Sequence, residues 1–336
     1  MLRCLELASK GLGRVAPNPM VGSVIVYNNQ IIGEGFHQQF GKAHAEVNAL
    51  ASVNNKALLA EATLYVNLEP CAQVGKTPPC ADLIIRQGLK KVVIGAIDPH
   101  SKVAGKGIKR MKEAGIEVIT GICEAACLSL NEVFYTQHQQ NRPFILLKWA
   151  QSSSGFFSPE ASNHSSPFWI TATETKLLTH SLRSASSGIL VGAQTLLTDK
   201  PALTTRAVYG NNPQIIIIDP ELVCKDFILN STAYSKAIVF YEGNNQLNDN
   251  RFIGLSEFNL KAILNELLKK DIQLLMVEGG AYTIKQFIDA SLWDEAWVLE
   301  GSQSLNNGIP APVFNEATKQ EHFAFGKDMI HIHRPL

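Results

Sequence analysis

Apolar positions along the chain switch repeatedly between a helical and a strand period, and a restart after Pro143 divides the pattern in two. Residues 2–12 carry apolar positions at helical spacing. APNPMVGSVIVYNNQIIGEGFH (16–37) then reads as two β-rich runs around Asn28-Asn29, a hairpin signal. KAHAEVNALASV (42–53) returns to the helical period and puts His44 and Glu46 near a helix N-terminus. TLYVNLEPC is a strand running to Cys71, and Cys80 opens a helix through ADLIIRQGL. Strand KKVVIGAIDP, helix KGIKRMKEAG and strand EVIT continue the alternation. CEAACLSLNEVFYTQHQQ reads as one helix with Cys123 and Cys127 as core residues, leading out to a boundary at residues 141–143. Strands alternating with helices predict an α/β layered domain with a central sheet.

Beyond that boundary, FILLKWAQSSSG is a strand ending in a polar loop, and PFWITATETKLLTHSLRSAS is a short strand entering a helix. GILVGAQTLLTDKPALTTR reads as a strand and then a loop carrying Thr195, Asp199 and Arg206. PQIIIIDP is a continuous apolar run of the kind a buried strand shows. KAIVFYEG is a further strand, residues 257–270 carry a helical pattern, and strand DIQLLMVEGG runs into helix AYTIKQFIDASLWDEA. Gly279-Gly280, between strand and helix, lets the backbone approach a ligand closely at a helix N-terminus, where phosphate is favoured. No GxGxxG is present, so the Rossmann fingerprint is absent.

At 336 residues the chain accommodates two domains, 1–141 and 142–336. Lys plus Arg and Asp plus Glu are 30 each, so there is no global electrostatic footprint for a polyanion, and a nucleic-acid partner is not expected. No apolar run approaches the ~20 residues a membrane helix needs, and no membrane partner is expected. The N-terminus lacks a signal-peptide pattern, and six cysteines are too few for a disulfide scaffold. A cytoplasmic protein is expected.

The chemistry concentrates between Gly41 and Cys80. His44-Ala45-Glu46 and Pro70-Cys71-x8-Cys80 supply one imidazole, one carboxylate and two thiols. Zinc favours nitrogen and sulfur donors, and a catalytic zinc takes three protein ligands, here His44, Cys71 and Cys80, leaving a fourth position to water. Such binding lowers the water's pKa to about 7. Glu46 needs no metal bond and is placed to carry protons from the attacking water to a leaving amine. Zinc deaminases of nucleobases combine these roles with a non-ligand Glu. The x8 spacing departs from their usual PCxxC, and the insert QVGKTPP is expected to help build the substrate pocket. Asn18, between two prolines, is either a ligand contact or a turn residue.

PNPMVGSVIV, HAEVNAL, LEPC, GKTPPC and VAGKG, followed by LLKWA, WIT, LRS, ILVGAQTLLTDKPALTTR and VEGG, resemble the bifunctional riboflavin-biosynthesis deaminase/reductase family over nearly the whole chain. The resemblance implies a cytidine-deaminase-like zinc domain followed by a dihydrofolate-reductase-like α/β domain. It implies zinc-dependent hydrolysis of the 2-amino group of 2,5-diamino-6-ribosylamino-4(3H)-pyrimidinone 5′-phosphate. NADPH-dependent reduction of the ribosyl group to ribityl would follow, and a homodimer is the expected assembly. Positions matching NADPH contacts are Ala150, Trp169, Thr195, Asp199, Gly280, Ala281, Tyr282, Thr283, Ile284, Lys285 and Gln286. Positions matching substrate contacts are Arg183, Leu203, Arg206 and Glu278. The two arginines supply guanidinium forks for a ribosyl phosphate, and Lys148, at a strand end, is placed to polarise the group that accepts hydride.

The departures from the family pattern cluster. Ala72-Gln73-Val74 replaces the usual Ser-His, with Lys76 retained; Ser154 stands where an Asp is common; LRSASSGILVG lacks its acid near Ser187; Pro167 and Pro220 replace hydrogen-bonding residues. These leave open an alternative in which the deaminase is active and the second domain no longer reduces. A nucleic-acid base deaminase with an accessory domain is a third reading, disfavoured by the charge balance.

Overall fold

A computed structural model describes residues 1–73, 78–100, 104–159, 169–244 and 247–336. Val74, Lys76, Val103 and Pro167, which belong to the motifs above, lie outside the described residues. The chain divides into two compact units, Met1–Asn141 and Arg142–Leu336.

The first unit opens with α1 (Leu2–Ser9), shorter than the 2–12 expected because Gly11 and Gly13, poor helix formers, follow it. Strands β1 (Gly22–Tyr27) and β2 (Gln30–Phe36) pair antiparallel through Asn28 and Asn29 at φ 47° and 60°, both left-handed as a type I′ turn requires. Then come α2 (Ala45–Ser52), β3 (Thr63–Leu68), α3 (Cys80–Arg86), β4 (Lys91–Ala96), α4 (Lys106–Glu113) and β5 (Glu117–Ile119). The sheet order is β2-β1-β3-β4-β5, antiparallel as far as β3 and parallel beyond it. Leu64, Val66, Val92 and Ile94 bury one face with Ala49, Ile84 and Met111 of the flanking helices.

The single closing helix expected over 123–140 is two, α5 (Glu124–Leu130) and α6 (Glu132–Gln140). The break falls at Asn131, whose amide turns inward to bond both the N–H (2.8 Å) and the carbonyl (2.9 Å) of Met20. Cys127 is a core residue, but Cys123 is exposed at the start of α5 with φ 57°, so its expected burial is corrected.

The second unit runs β6 (Phe144–Ser152), β7 (Phe156–Ser158), α7 (Thr175–Ala185), β8 (Gly188–Gly192), α8 (Ala193–Asp199), β9 (Gln214–Ile218), α9 (Lys225–Leu229) and β10 (Ile238–Glu242). It continues through β11 (Phe252–Leu255), α10 (Leu260–Leu268), β12 (Leu274–Val277), α11 (Ala281–Asp289), β13 (Glu295–Gly301), β14 (Ile309–Pro310), β15 (Thr318–Phe325) and β16 (Asp328–Pro335). Nine strands form one sheet, β11-β10-β9-β8-β12-β6-β13-β16-β15, parallel through β13 and antiparallel at the β16–β15 end. Leu190 packs on one face with Ile284 and Phe287, while its neighbours Ile189 and Val191 pack on the other with Leu196 and Ile228. Burial on both faces explains the unbroken apolar runs of ILV and IIII.

Three expectations are corrected. Thr195 and Asp199 lie on α8 and not in a loop. The described residues 169–174, immediately before α7, hold no strand. The helix expected through residue 296 ends at Asp289, and Glu295–Gly301 is strand β13, whose Ala296 and Val298 alternate into the core.

Candidate active sites

In the first unit, functional side chains gather at the carboxyl ends of β3 and β4, where ligands settle in open α/β sheets. His44 is the residue from which α2 starts, Cys71 follows β3, and Cys80 begins α3. Their ligating atoms all lie within 4.8 Å of one another. His44 Nδ1 is 3.6 Å from Cys71 Sγ and 3.4 Å from Cys80 Sγ. A tetrahedral ion at zinc's usual bond lengths, about 2.3 Å to sulfur and 2.0–2.1 Å to nitrogen, needs such donors roughly 3.6 Å apart, so the set fits zinc. The Cys71 thiol is held well below its ordinary range by a hydrogen bond from the Cys80 side chain, with His44 and the Cys80 backbone N–H adding to it. Cys80, donating in that bond and buried, is raised. A thiolate beside its proton-bearing partners at a helix start is half-prepared for a cation.

Glu46 sits in the first turn of α2, buried, and its burial pushes the carboxyl up to about 7. It lines a cavity of about 120 Å³ together with Asn18, His37, His44, Glu69, Cys71 and Asp98. His37 Nδ1 lies 3.0 Å from the Ala43 carbonyl, which accepts only, so Nδ1 carries the proton and Nε2 accepts from the Asn18 amide at 3.1 Å. That fixes the amide nitrogen of Asn18 on His37 and leaves its oxygen available to a ligand. Glu69 spends its carboxylate on the backbone: it accepts from Asp98 (3.3 Å), Gly105 (2.9 Å), Gly107 (3.0 Å) and Ile108 (3.3 Å), seating the start of α4. A Cβ at Gly107 would fall 2.1 Å from the Pro70 carbonyl, so only glycine allows that seat. Burial lifts Asp98 to about 6.

In the second unit the sequence-derived residues separate into two groups. Thr195, Asp199, Gly280, Ala281, Tyr282, Thr283 and Gln286 line one cavity of about 600 Å³. It opens where α8 and α11 start side by side: a Cβ on Gly192 would come within 2.7 Å of Thr283 Oγ1, and one on Gly280 within 3.1 Å of Thr195 Oγ1. Two adjacent helix N-termini suit a pyrophosphate, and the volume suits an extended coenzyme. Phe157, Gly192, Ile218, Phe258 and Asn259 join this wall unanticipated; Pro220 lines it too. Of the other residues expected there, Ile284 is fully buried in the core and Lys285 pairs with Asp289 on the surface. Ala150 lies within β6, and Trp169 is about half exposed beneath the Lys176 ammonium at 3.6 Å.

The second group is an ion cluster. Glu278, just past β12, accepts from Lys148 Nζ (3.0 Å) and from Arg183 Nε (2.9 Å). Lys148 sits in the middle of β6 and not at the expected strand end. All three side chains are 11–13% exposed. Burial alone would raise Glu278, but Lys148 and Arg183 outweigh it and hold the carboxyl below its usual range. Arg183 also donates to the Thr204 carbonyl at 3.2 Å, beside Leu203, which is buried at φ 52°.

Comparison with known proteins follows this division. The cytidine and deoxycytidylate deaminase zinc-binding region matches residues 1–96, and the RibD C-terminal domain matches residues 143–302. The riboflavin biosynthesis protein RibD of Aquifex aeolicus is 40% identical over 317 residues, which are 92% of this chain and 88% of that protein. The chain belongs to the RibD family. Among solved structures, a Thermotoga maritima diaminohydroxyphosphoribosylaminopyrimidine deaminase/5-amino-6-(5-phosphoribosylamino)uracil reductase has a TM-score of 0.86 at 36% identity, with 100% and 97% of the two chains covered. Acinetobacter baumannii RibD has a TM-score of 0.86 at 32% identity, with the same coverage.

Within a RibD frame, the two serines that replace acids have clear work. Ser187 Oγ accepts the N–H groups of Gln273 and Leu274, each at 2.9 Å, and donates to the Leu274 carbonyl at 3.0 Å. Ser154 Oγ accepts from Leu305 N–H (2.9 Å) and donates to its carbonyl (2.8 Å). Both positions clamp backbone through a hydroxyl that accepts and donates, where an ionised carboxylate would only accept.

Proposed function

We infer that this chain is a bifunctional enzyme of riboflavin biosynthesis, with the deaminase in residues 1–141 and the reductase in 142–336. It hydrolytically deaminates 2,5-diamino-6-ribosylamino-4(3H)-pyrimidinone 5′-phosphate and then reduces the ribosyl group to ribityl with NADPH. The convergence of His44, Cys71 and Cys80 above a buried Glu46 carries the first assignment. In our reading those three hold zinc, which when bound makes water nucleophilic at neutral pH. Glu46, with a carboxyl near 7, takes a proton from that water and returns it to the departing ammonia. The Asn18 oxygen, at the cavity wall, accepts from the pyrimidine.

In the second unit we assign the coenzyme to the cavity at the α8 and α11 starts, with Thr195, Thr283 and Gln286 as polar contacts. NADPH supplies hydride there. Lys148 orients the acceptor group of the substrate; Glu278 holds that ammonium in place, and Arg183 braces Glu278 from its other carboxylate oxygen. Arg206 and Arg183 meet the ribosyl phosphate, as the family resemblance implies. The partner is thus a small pyrimidine ribosyl phosphate, and the zero formal net charge supports no nucleic-acid role. We assign the enzyme to the cytoplasm; among the described residues no helix is long and apolar enough to cross a membrane. A homodimer, tested by light scattering, completes the reading.

The deciding assay feeds zinc-loaded protein the diaminopyrimidinone and follows ammonia and NADPH together. Equal release and oxidation are expected. Ammonia without NADPH loss would leave the second unit without its assigned reaction.

A further inference from the structure

The ribosyl-phosphate loop 203–206 is held residue by residue. Leu203 is buried at a left-handed φ, Arg183 takes the Thr204 carbonyl, and Asn212 Oδ1 accepts the Thr205 N–H at 2.8 Å. The fourth hold comes from a residue to which neither motif nor resemblance gave a role: the Arg206 N–H donates to His180 Nδ1 at 3.1 Å. His180 is buried on α7, one turn before Arg183. We propose that His180 is a positioning residue of the reductase, fixing the Arg206 backbone so that its guanidinium meets the substrate phosphate.

Three observations support it. An N–H can only donate, so Nδ1 must be unprotonated and the ring must carry its proton on Nε2. Burial, then the charges of Arg183 and Arg206, push this ring below the ordinary histidine range against the opposing pulls of Glu278 and the Thr204 backbone. The Arg206 side chain itself is exposed, so packing does not place it and its backbone sets the point from which it reaches. His180 and Arg183 therefore form one helix face that grips the loop at Arg206 N–H and Thr204 carbonyl, two residues apart. The bond count matters because a left-handed leucine stores local strain that the flanking contacts must overcome.

The inference rests on Arg206 contacting substrate, and the test separates the two. Steady-state reduction of the deaminated ribosylaminouracil phosphate by NADPH is measured with the full chain and with His180→Leu, His180→Asn and Arg206→Ala. Loss of one such hydrogen bond predicts that His180→Leu raises the substrate KM about tenfold. The NADPH KM and the deaminase rate stay unchanged. His180→Asn, whose Oδ1 sits at the same bond separation from the backbone as Nδ1, restores the substrate KM. An unchanged KM in His180→Leu, or equal losses for substrate and coenzyme that Asn does not restore, overturns the inference. An unchanged KM in Arg206→Ala shows instead that the substrate reading itself is wrong. If His180→Leu does not fold, the ¹⁵N spectrum of the unaltered enzyme decides: Nδ1 must appear as the unprotonated nitrogen at neutral pH, and a protonated Nδ1 rules the positioning bond out.

Discussion

In our reading the two units solve the same problem, holding a small molecule at the carboxyl ends of sheet strands, with different materials. The deaminase centre is made of side chains whose identities admit few substitutes: an imidazole and two thiols within 4.8 Å, and one buried acid. The cavity we assign to the coenzyme combines the opening turns of α8 and α11 with apolar walls such as Phe157, Ile218 and Phe258 and a few polar side chains. Metal coordination demands particular donor atoms at fixed distances, whereas phosphate binding at a helix start demands only that the N–H groups point inward. The first site should fail at single atoms; the second should degrade gradually. That contrast can be broken experimentally.

The largest effect expected is separation of the two activities. Stripping zinc with a chelator should abolish ammonia release while NADPH oxidation on pre-deaminated substrate continues. Parallel loss of both would mean that the second unit also depends on the metal. Glu46→Gln should lower deamination by about 10²–10⁴-fold, the usual worth of a positioned proton carrier, with zinc content unchanged. A full-rate Glu46→Gln enzyme would remove the proton role altogether.

Next in size is the ion cluster. Glu278→Gln leaves Lys148 and Arg183 as buried, poorly compensated cations, and breaking a buried pair in this way costs about 3–5 kcal/mol. Denaturant unfolding should show the second unit weakened and the first untouched. The pH sign follows from the direction of the shift. Because the folded state holds Glu278 below its usual range, its contribution is complete above the unfolded carboxylate pKa of about 4.3 and is lost as pH falls through the lower folded value. Glu278→Gln should therefore flatten the acid limb of the second unit's stability curve. An unaltered limb would mean that another group controls it.

What the sequence made legible tracks the same contrast. His44, Glu46, Cys71 and Cys80 were readable because the chemistry sits in motifs, and motifs survive in one dimension. The alternation of strand and helix was readable because Leu190 against Ile189 and Val191 leaves both faces apolar. The break at Asn131 was not, since its cause is a bond to Met20, 111 residues away. Nor was the β15–β16 hairpin, because β15 is exposed and lacks the one-sided apolar alternation of a half-buried strand. His180 was invisible for a third reason: it works through a backbone group 26 residues along the chain, and a lone polar residue on a helix says nothing about that. Asp98 did carry a signal, an acid closing an otherwise apolar strand at the end where ligands bind.

The smallest predicted effect bears on the departures that left reduction in question. If Ser187 is a backbone clamp, its loss should be felt in stability and not in turnover. Ser187→Ala removes the acceptor of the Gln273 and Leu274 N–H groups, which should cost about 1–3 kcal/mol. Ser154→Ala, at an exposed turn, should cost less. In both, kcat and both KM values for reduction should hold at temperatures where the protein stays folded. Ser187→Asp should be tolerated as well, since a carboxylate accepts the same two N–H groups, although it forfeits the hydroxyl's donation to the Leu274 carbonyl. A large gain in reductase rate in Ser187→Asp or Ser154→Asp would point the other way. The absent acids would then have been catalytic, and the coenzyme cavity would belong to a weakened enzyme.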